Sequence, residues 1–278
     1  MAAQSETKNM ALFCDFENVA LGVQEAKYAQ FDIRKVLERL LLKGSIVVKK
    51  AYCDWARYKD FKAPMHEAAF ELIEIPHVRQ SGKNSADIRM VVDALDLCYT
   101  KSHVDTFVII SGDSDFSPLV SKLRENNKLV IGVGVKKSTS DLLMANCDEF
   151  IYYDDLVREE ETKKRTARKR PAKAAAAKDA PKREDKEPSE EEDRRQEAIE
   201  LTLETIEALV AERGAGEQIW GSMVKQALKR RKPGFTESYY GFKSFSELLE
   251  EAQVRRLVEL QRDEKSGGYI VRVVTHPQ

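Results

Sequence analysis

Two aspartates separated by a single residue, Asp113 and Asp115, sit in the string Ser111-Gly112-Asp113-Ser114-Asp115-Phe116, directly behind the apolar run TFVIIS. Carboxylates crowded together repel and raise each other's pKa unless something neutralises them. A hard divalent cation does so, and carboxylate oxygens suit Mg²⁺ or Mn²⁺, which keep several of their waters. Gly112 is expected to permit the sharp turn that aims both acids into one space. A further acid, Asp15, closes the run MALFCD, with Asn18 three residues on, and another, Asp87, ends SGKNSAD at the start of a helical pattern. Asp87 alone reads equally well as a partner for the helix dipole. Together, Asp15, Asp87, Asp113 and Asp115 predict a metal site that acidifies a bound water, with no side-chain nucleophile. His66 and His77 read as surface or core polar residues, while His103 falls in a loop and His276 in the tail.

The elements that must position these acids alternate in type. Residues 10–16, 45–54, 73–78, 106–111, 129–135 and 149–153 are short apolar runs that read as strands. Residues 31–42, 61–72, 86–100 and 116–126 read as helices. In 86–100 the core stripe is expected to be Ile88, Val91, Val92, Leu95 and Cys98, leaving Asp93 and Asp96 on the solvent side. Pro76 marks its strand as a sheet edge. Such alternation implies βαβ units around a central, mostly parallel sheet covered on both faces. Open sheets of that kind carry their sites at the carboxyl ends of the strands, where Asp15 and the 111–116 string fall. Ser140 or Asp141 is expected to cap the helix DLLMANC. The Gly132-x-Gly134 pair lies within a strand and is no dinucleotide fingerprint. Trp55 and Tyr58 read either as base-stacking rings or as rings packed on the next helix.

A third of the chain, 33 %, is charged, above the usual quarter, while 42 % is hydrophobic, so one part packs and another is solvated. The solvated part is expected at 158–195, a charged stretch without aromatics that reads as a disordered linker. Its basic half, KKRTARKRPAKAAAAK, is either a phosphate-binding strip or a plain tether. Beyond it, helices at 195–212, 219–230 and 244–251 and strands at 257–261 and 269–274 form a small winged-helix-like pattern. Lys225, Lys229, Arg230, Arg231 and Lys232 cluster there beside Tyr239, Tyr240 and Phe242. This reads as a surface for RNA, or as helix capping with the rings packed inside. A net charge of −1 gives no global pull towards nucleic acid. Four scattered cysteines in apolar surroundings, a start without signal-peptide pattern and no run of about 20 apolar residues predict a cytoplasmic protein away from membranes.

The ordered set DFENV (15–19), SGKNSAD (81–87) and SGDSDF (111–116) resembles the NYN domain, a PIN-like nuclease family that includes the LabA/DUF88 proteins. The C-terminal stretch IWGSMVKQALKRRKPGFTESYYGFKSFSELLE with the following GGYIV resembles the OST-HTH/LOTUS domain. The resemblance implies an α/β, PIN-like three-layer sandwich at 8–157 and a winged-helix-like domain at 196–275. It implies a metal-dependent ribonuclease with Asp15, Asp87, Asp113 and Asp115 around Mg²⁺ or Mn²⁺, Asn18 and Ser111 orienting them, and Lys83 touching phosphate. Arg79, Arg89, Lys136 and Lys137 are placed to rim such a site, although each alone also reads as a solvated charge. The C-terminal module is expected to bind single-stranded or structured RNA, or a protein partner, through Lys225, Lys229, Arg230, Arg231 and Tyr240. A non-catalytic RNA-binding adaptor is the competing reading, and homodimerisation is left open.

Overall fold

The structure is a computed structural model that describes residues 8–75, 85–158, 160, 188–213, 217–263 and 267–273. The chain divides into two compact units, residues 1–165 and 166–278.

In the first unit, strands β1 (Lys8–Asp15), β2 (Gly44–Cys53), β3 (Glu71–Glu74), β4 (Thr106–Ile110), β5 (Leu129–Gly134) and β6 (Glu149–Tyr152) form one sheet. Its order is β3-β2-β1-β4-β5-β6, and every pairing is parallel. The side chains of β1 alternate between two cores. Met10, Leu12 and Cys14 pack under α1 (Phe16–Glu25), α2 (Ile33–Leu41) and α3 (Lys59–Glu67). Ala11 and Phe13 pack under α4 (Ser85–Thr100), α5 (Ser117–Glu125) and α6 (Asp141–Asn146). This is the three-layer sandwich that unbroken apolar strands require. Gly132 is small because a Cβ there would come within 2.3 Å of the Phe150 ring. All four cysteines are buried and free.

Several elements depart from the sequence reading. Helix α1 has no counterpart in it, and the helix expected over 61–72 stops at Glu67, with β3 following from Glu71. The strand expected at 73–78 is therefore shorter and earlier; it is the sheet edge, and residues 76–78 lie outside the described residues. On α4 the core face is Met90, Ala94 and Cys98, while Ile88 and Val92 stand exposed. Helix α3 ends as α1, α5 and, in the second unit, α9 (Phe245–Val254) end. Each has a left-handed residue two positions past its last helical residue: Lys27, Ala69, Asn127 and Arg256. Paired hydrogen bonds close each end, as in Ala69 N to His66 O at 2.8 Å and Phe70 N to Met65 O at 3.0 Å. This is the Schellman arrangement, which glycine favours because it lacks the Cβ penalty. Ala69→Gly is accordingly expected to stabilise the protein by about 0.5–1 kcal/mol, after the glycine's extra unfolded-state entropy is subtracted. A urea midpoint that fell would contradict it.

In the second unit, α7 (Pro188–Arg213), α8 (Gly221–Arg231) and α9 pack with β7 (Ile219–Trp220), β8 (Val258–Arg262) and β9 (Tyr269–Val273). The strands form an antiparallel sheet in the order β7-β9-β8. Ile199, Ile206, Val224, Leu228, Leu248, Leu249 and Val271 make the core of this winged-helix-like unit. Helix α7 begins at Pro188, inside the stretch read as linker, and Ile219–Trp220 is a strand rather than the start of α8. The disorder expected for 161–187 falls outside the described residues.

Candidate functional site

The strand order reverses between β1 and β4, so the segments leaving their carboxyl ends turn to opposite faces of the sheet and leave a crevice, the place where open α/β sheets hold ligands. Asp15 is the last residue of β1 and the N-cap of α1. Its carboxylate accepts from Ser111 Oγ at 3.0 Å and, more weakly, from Asn18 N at 3.4 Å. Ser111 Oγ in turn accepts from Asp113 N at 3.2 Å, and Asn18 Oδ1 accepts from Gly112 N at 2.8 Å. These bonds lace the start of α1 to the loop behind β4. Asp113 caps the short 3₁₀ turn Ser114–Phe116 by accepting from Asp115 N at 2.9 Å. Gly112 has a reason other than the expected turn: a Cβ would lie 2.3 Å from Ser138 O, and Ser140 N bonds Gly112 O at 2.9 Å. Glycine is needed because another backbone passes so close.

Asp15, Asp87 and Asp113 line one cavity of about 300 Å³, with Glu17, Asn18 and Asp54 as further polar walls and Leu21, Tyr52, Cys53, Ile75 and Ala86 as apolar ones. Asp15 is only 8 % exposed. Burial, then the charge of Asp87, push its carboxyl up to about 7, against the lowering by Ser111 and Asn18. Asp87 is half-buried, and burial followed by Asp113, Asp115 and Glu17 push it to about 6. Acids from three separate segments thus feel one another. Asp115 is exposed and outside the cavity lining, although its charge reaches Asp87. Among the described residues, no three His, Cys, Asp or Glu side chains stand close enough to hold one ion. The donor set nonetheless fits a hydrated hard cation: all oxygens, mutually repelling, and Mg²⁺ commonly takes only one or two carboxylates and keeps its waters.

Glu17 and Asp54 escaped the sequence reading. Asp54 follows β2, so the same strand-end rule that found Asp15 could have found it; Glu17 is held by Arg57 at 2.9 Å. Asp93 is not the free surface charge expected. It accepts from the buried Tyr52 hydroxyl at 2.9 Å and from Arg89 Nε at 3.0 Å, and lies 3.8 Å from Lys50 Nζ. Arg89 is therefore held on its own helix by Asp93 and is not among the residues that line the cavity. Lys136 and Lys137 are exposed behind β5, whereas Arg79 and Lys83 lie outside the described residues. Trp55 is buried against Phe16 at 5.0 Å with its indole N–H on Ile73 O, so packing and not base stacking accounts for it. Ser140 caps α6, as expected.

In the second unit the aromatics turn inward. Tyr240 is buried and stacks on Phe235 at 5.0 Å, and Phe242 is buried under the Arg195 guanidinium at 4.3 Å. Tyr240 is thus a core residue and not part of a binding face. Lys225 pairs with Glu237 at 2.7 Å, and Arg231 donates to Thr205 Oγ1 at 3.3 Å. Arg230, Arg231 and Lys232 are exposed at the end of α8, with Lys229 half-buried beside them.

The NYN domain family's sequence pattern matches residues 9–154, and that of the OST-HTH/LOTUS domain matches residues 198–270. An uncharacterised protein of Methanocaldococcus jannaschii is 29 % identical over 143 residues, 50 % of this chain and 56 % of the relative, so the chain spans about half the length of that curated protein. The crystal structure of a protein of unknown function from Vibrio parahaemolyticus covers 55 % of this chain with 96 % of its own, at 27 % identity and a TM-score of 0.49. Among the described residues no helix is long and apolar enough to cross a membrane.

Proposed function

Since the chain belongs to the NYN domain family and carries an OST-HTH/LOTUS domain behind it, we propose that it is a metal-dependent ribonuclease whose C-terminal module recruits the RNA. The observation that carries this reading is the convergence of Asp15, Asp87 and Asp113, from three separate segments, on one cavity at the reversal of the sheet. Asp15, Asp87 and Asp113 would hold Mg²⁺ or Mn²⁺, with Asp115 at the rim. When bound there, the cation would supply an acidified water for hydrolysis of the phosphodiester and would offset charge on the leaving oxygen. Ser111 fixes one oxygen of Asp15, and Asn18 fixes the backbone of Gly112, so the acids keep their spacing as substrate enters. Lys136 and Lys137, exposed behind β5, would counter the phosphates flanking the cleaved bond, with Lys83 as a further phosphate contact. The exposed end of α8, from Arg230 to Lys232, offers charges of the sign RNA needs. Four buried free thiols suit a reducing cytoplasm.

Labelled single-stranded RNA, structured RNA and DNA, incubated with the purified chain and either Mn²⁺ or EDTA, test the proposal. RNA is expected to be cut only with Mn²⁺, and Asp113→Asn to slow cutting by on the order of a thousandfold, about 4 kcal/mol of transition-state stabilisation. Cleavage at an unchanged rate in the variant sinks the assignment. RNA that is bound but never cut favours an adaptor instead.

A further inference from the structure

The outer face of α4 carries large apolar side chains in solvent. Ile88 is 62 % exposed, Val92 55 % and Tyr99 64 %, whereas the same helix sends Met90, Ala94 and Cys98 into the core. Exposed apolar residues scattered singly need no explanation, but a row of them on one helix does. The row is regular. Ser85, Ile88, Val92, Leu95 and Tyr99 recur at alternating steps of three and four, the spacing of a seam between two helices. Leu95, half-buried, joins the row to the core beneath it.

The charges beside the row indicate what lies against it. Arg89 and Asp96 stand seven residues apart on the same edge of the seam, and both are exposed. When two copies of one helix pack antiparallel, same-edge positions face each other across the two-fold axis. Pairing Val92 with Leu95 of the other copy also sets Ile88 against Tyr99, and it brings Arg89 opposite Asp96 twice, once on each side of the axis. In a parallel pair each edge faces the opposite edge of the other helix, so Arg89 and Asp96 would not meet. Asp93 takes only Arg89 Nε, at 3.0 Å, so pairing across the seam falls to the terminal guanidinium nitrogens. We propose that the outer face of α4 is a self-association surface, on which a second copy of this chain packs antiparallel with reciprocal Arg89–Asp96 pairs. A single-helix contact is small, so the dimer is weak, with a Kd on the order of micromolar or higher.

Sedimentation equilibrium on the full chain, from below micromolar to about a hundred micromolar, tests it. The wild type is expected to shift from monomer to dimer over that range. Val92→Glu, at an exposed position, is expected to remain monomeric with unchanged far-UV dichroism. Arg89→Glu should weaken association by roughly tenfold or more, because it sets like charges opposite each other twice, and adding Asp96→Arg should restore it. A wild type that stays monomeric throughout overturns the proposal, as does a Val92→Glu variant that still dimerises. A double reversal no tighter than the single one overturns the antiparallel register, and the proposal with it.

Discussion

Asp15→Asn is expected to make the cation-free protein more stable at pH 8 while abolishing Mn²⁺-dependent RNA cleavage. The side chain is 8 % exposed, and burial together with the nearby charge of Asp87 moves its carboxyl from 3.8 to about 7. A displacement of that size corresponds to on the order of 4 kcal/mol of unfavourable ionisation in the folded state, as a ceiling. Because the folded-state value lies above the unfolded one, the native chain retains a proton between these limits that the unfolded chain has released. The stability contributed by the protonated acid is complete below 3.8 and is lost as pH rises through about 7. Asparagine never ionises, and its one carbonyl oxygen keeps the 3.0 Å bond from Ser111 Oγ while the longer 3.4 Å bond from Asn18 N, which goes to the other oxygen of Asp15, is lost. In EDTA, melting temperatures of wild type and variant should meet near pH 4 and separate by several degrees, up to about ten, above pH 7. Curves that run parallel across this range would mean that Asp15 is not held against its own charge. A group that weakens the fold and is retained at a cavity wall fits a site built for binding, where local consistency yields to function.

The acids were legible because each relied on a local signal. Asp15 and Asp113 close or follow the most apolar runs, and an apolar run that ends in an acid announces both a strand and its carboxyl end. Convergence in space needed the strand order as well, which periodicity does not encode. Asp54 shows the limit, since the string Cys53-Asp54-Trp55 ends a strand in the same way but has no second acid nearby to draw notice. Helix ends were hidden for a specific reason. The left-handed positions after α1, α3, α5 and α9 are Lys27, Ala69, Asn127 and Arg256, so the glycine that normally marks a helix end is missing from all four. Helix α4 follows the expected stripe only in part, with Val91, Leu95 and Cys98 on the core and Ile88 and Val92 off it, for another reason. It is apolar on two faces, Met90-Ala94-Cys98 and Ile88-Val92-Tyr99, and spacing alone does not say which one meets the sheet. The aromatics around Tyr240 were ambiguous in the same way, because an aromatic run beside basic residues serves a small core as well as an RNA surface. Packing decided between these readings, with Phe235 and the Arg195 guanidinium covering the rings.

Mn²⁺ binding is expected to weaken steeply as pH falls from 8 to 5.5, over a range in which ordinary carboxylates would leave it flat. Asp15 stands at about 7 and Asp87 at about 6, so both are ionised at pH 8 and both are largely protonated at pH 5.5. A cation that takes their oxygens must displace those protons, which couples affinity to pH. One displaced proton costs about tenfold in apparent affinity per pH unit, and two cost about a hundredfold. The expected slope is therefore near zero above pH 7.5, about one proton between pH 6 and 7, and approaches two below pH 6. Titration calorimetry in buffers of different ionisation enthalpy counts the protons directly, independently of any RNA substrate. Asp15→Asn should remove the proton taken up near pH 7, and Asp87→Asn the one taken up near pH 6. An affinity that is flat from pH 8 to 5.5 would show that the cation, if it binds, does so away from the crevice between β1 and β4.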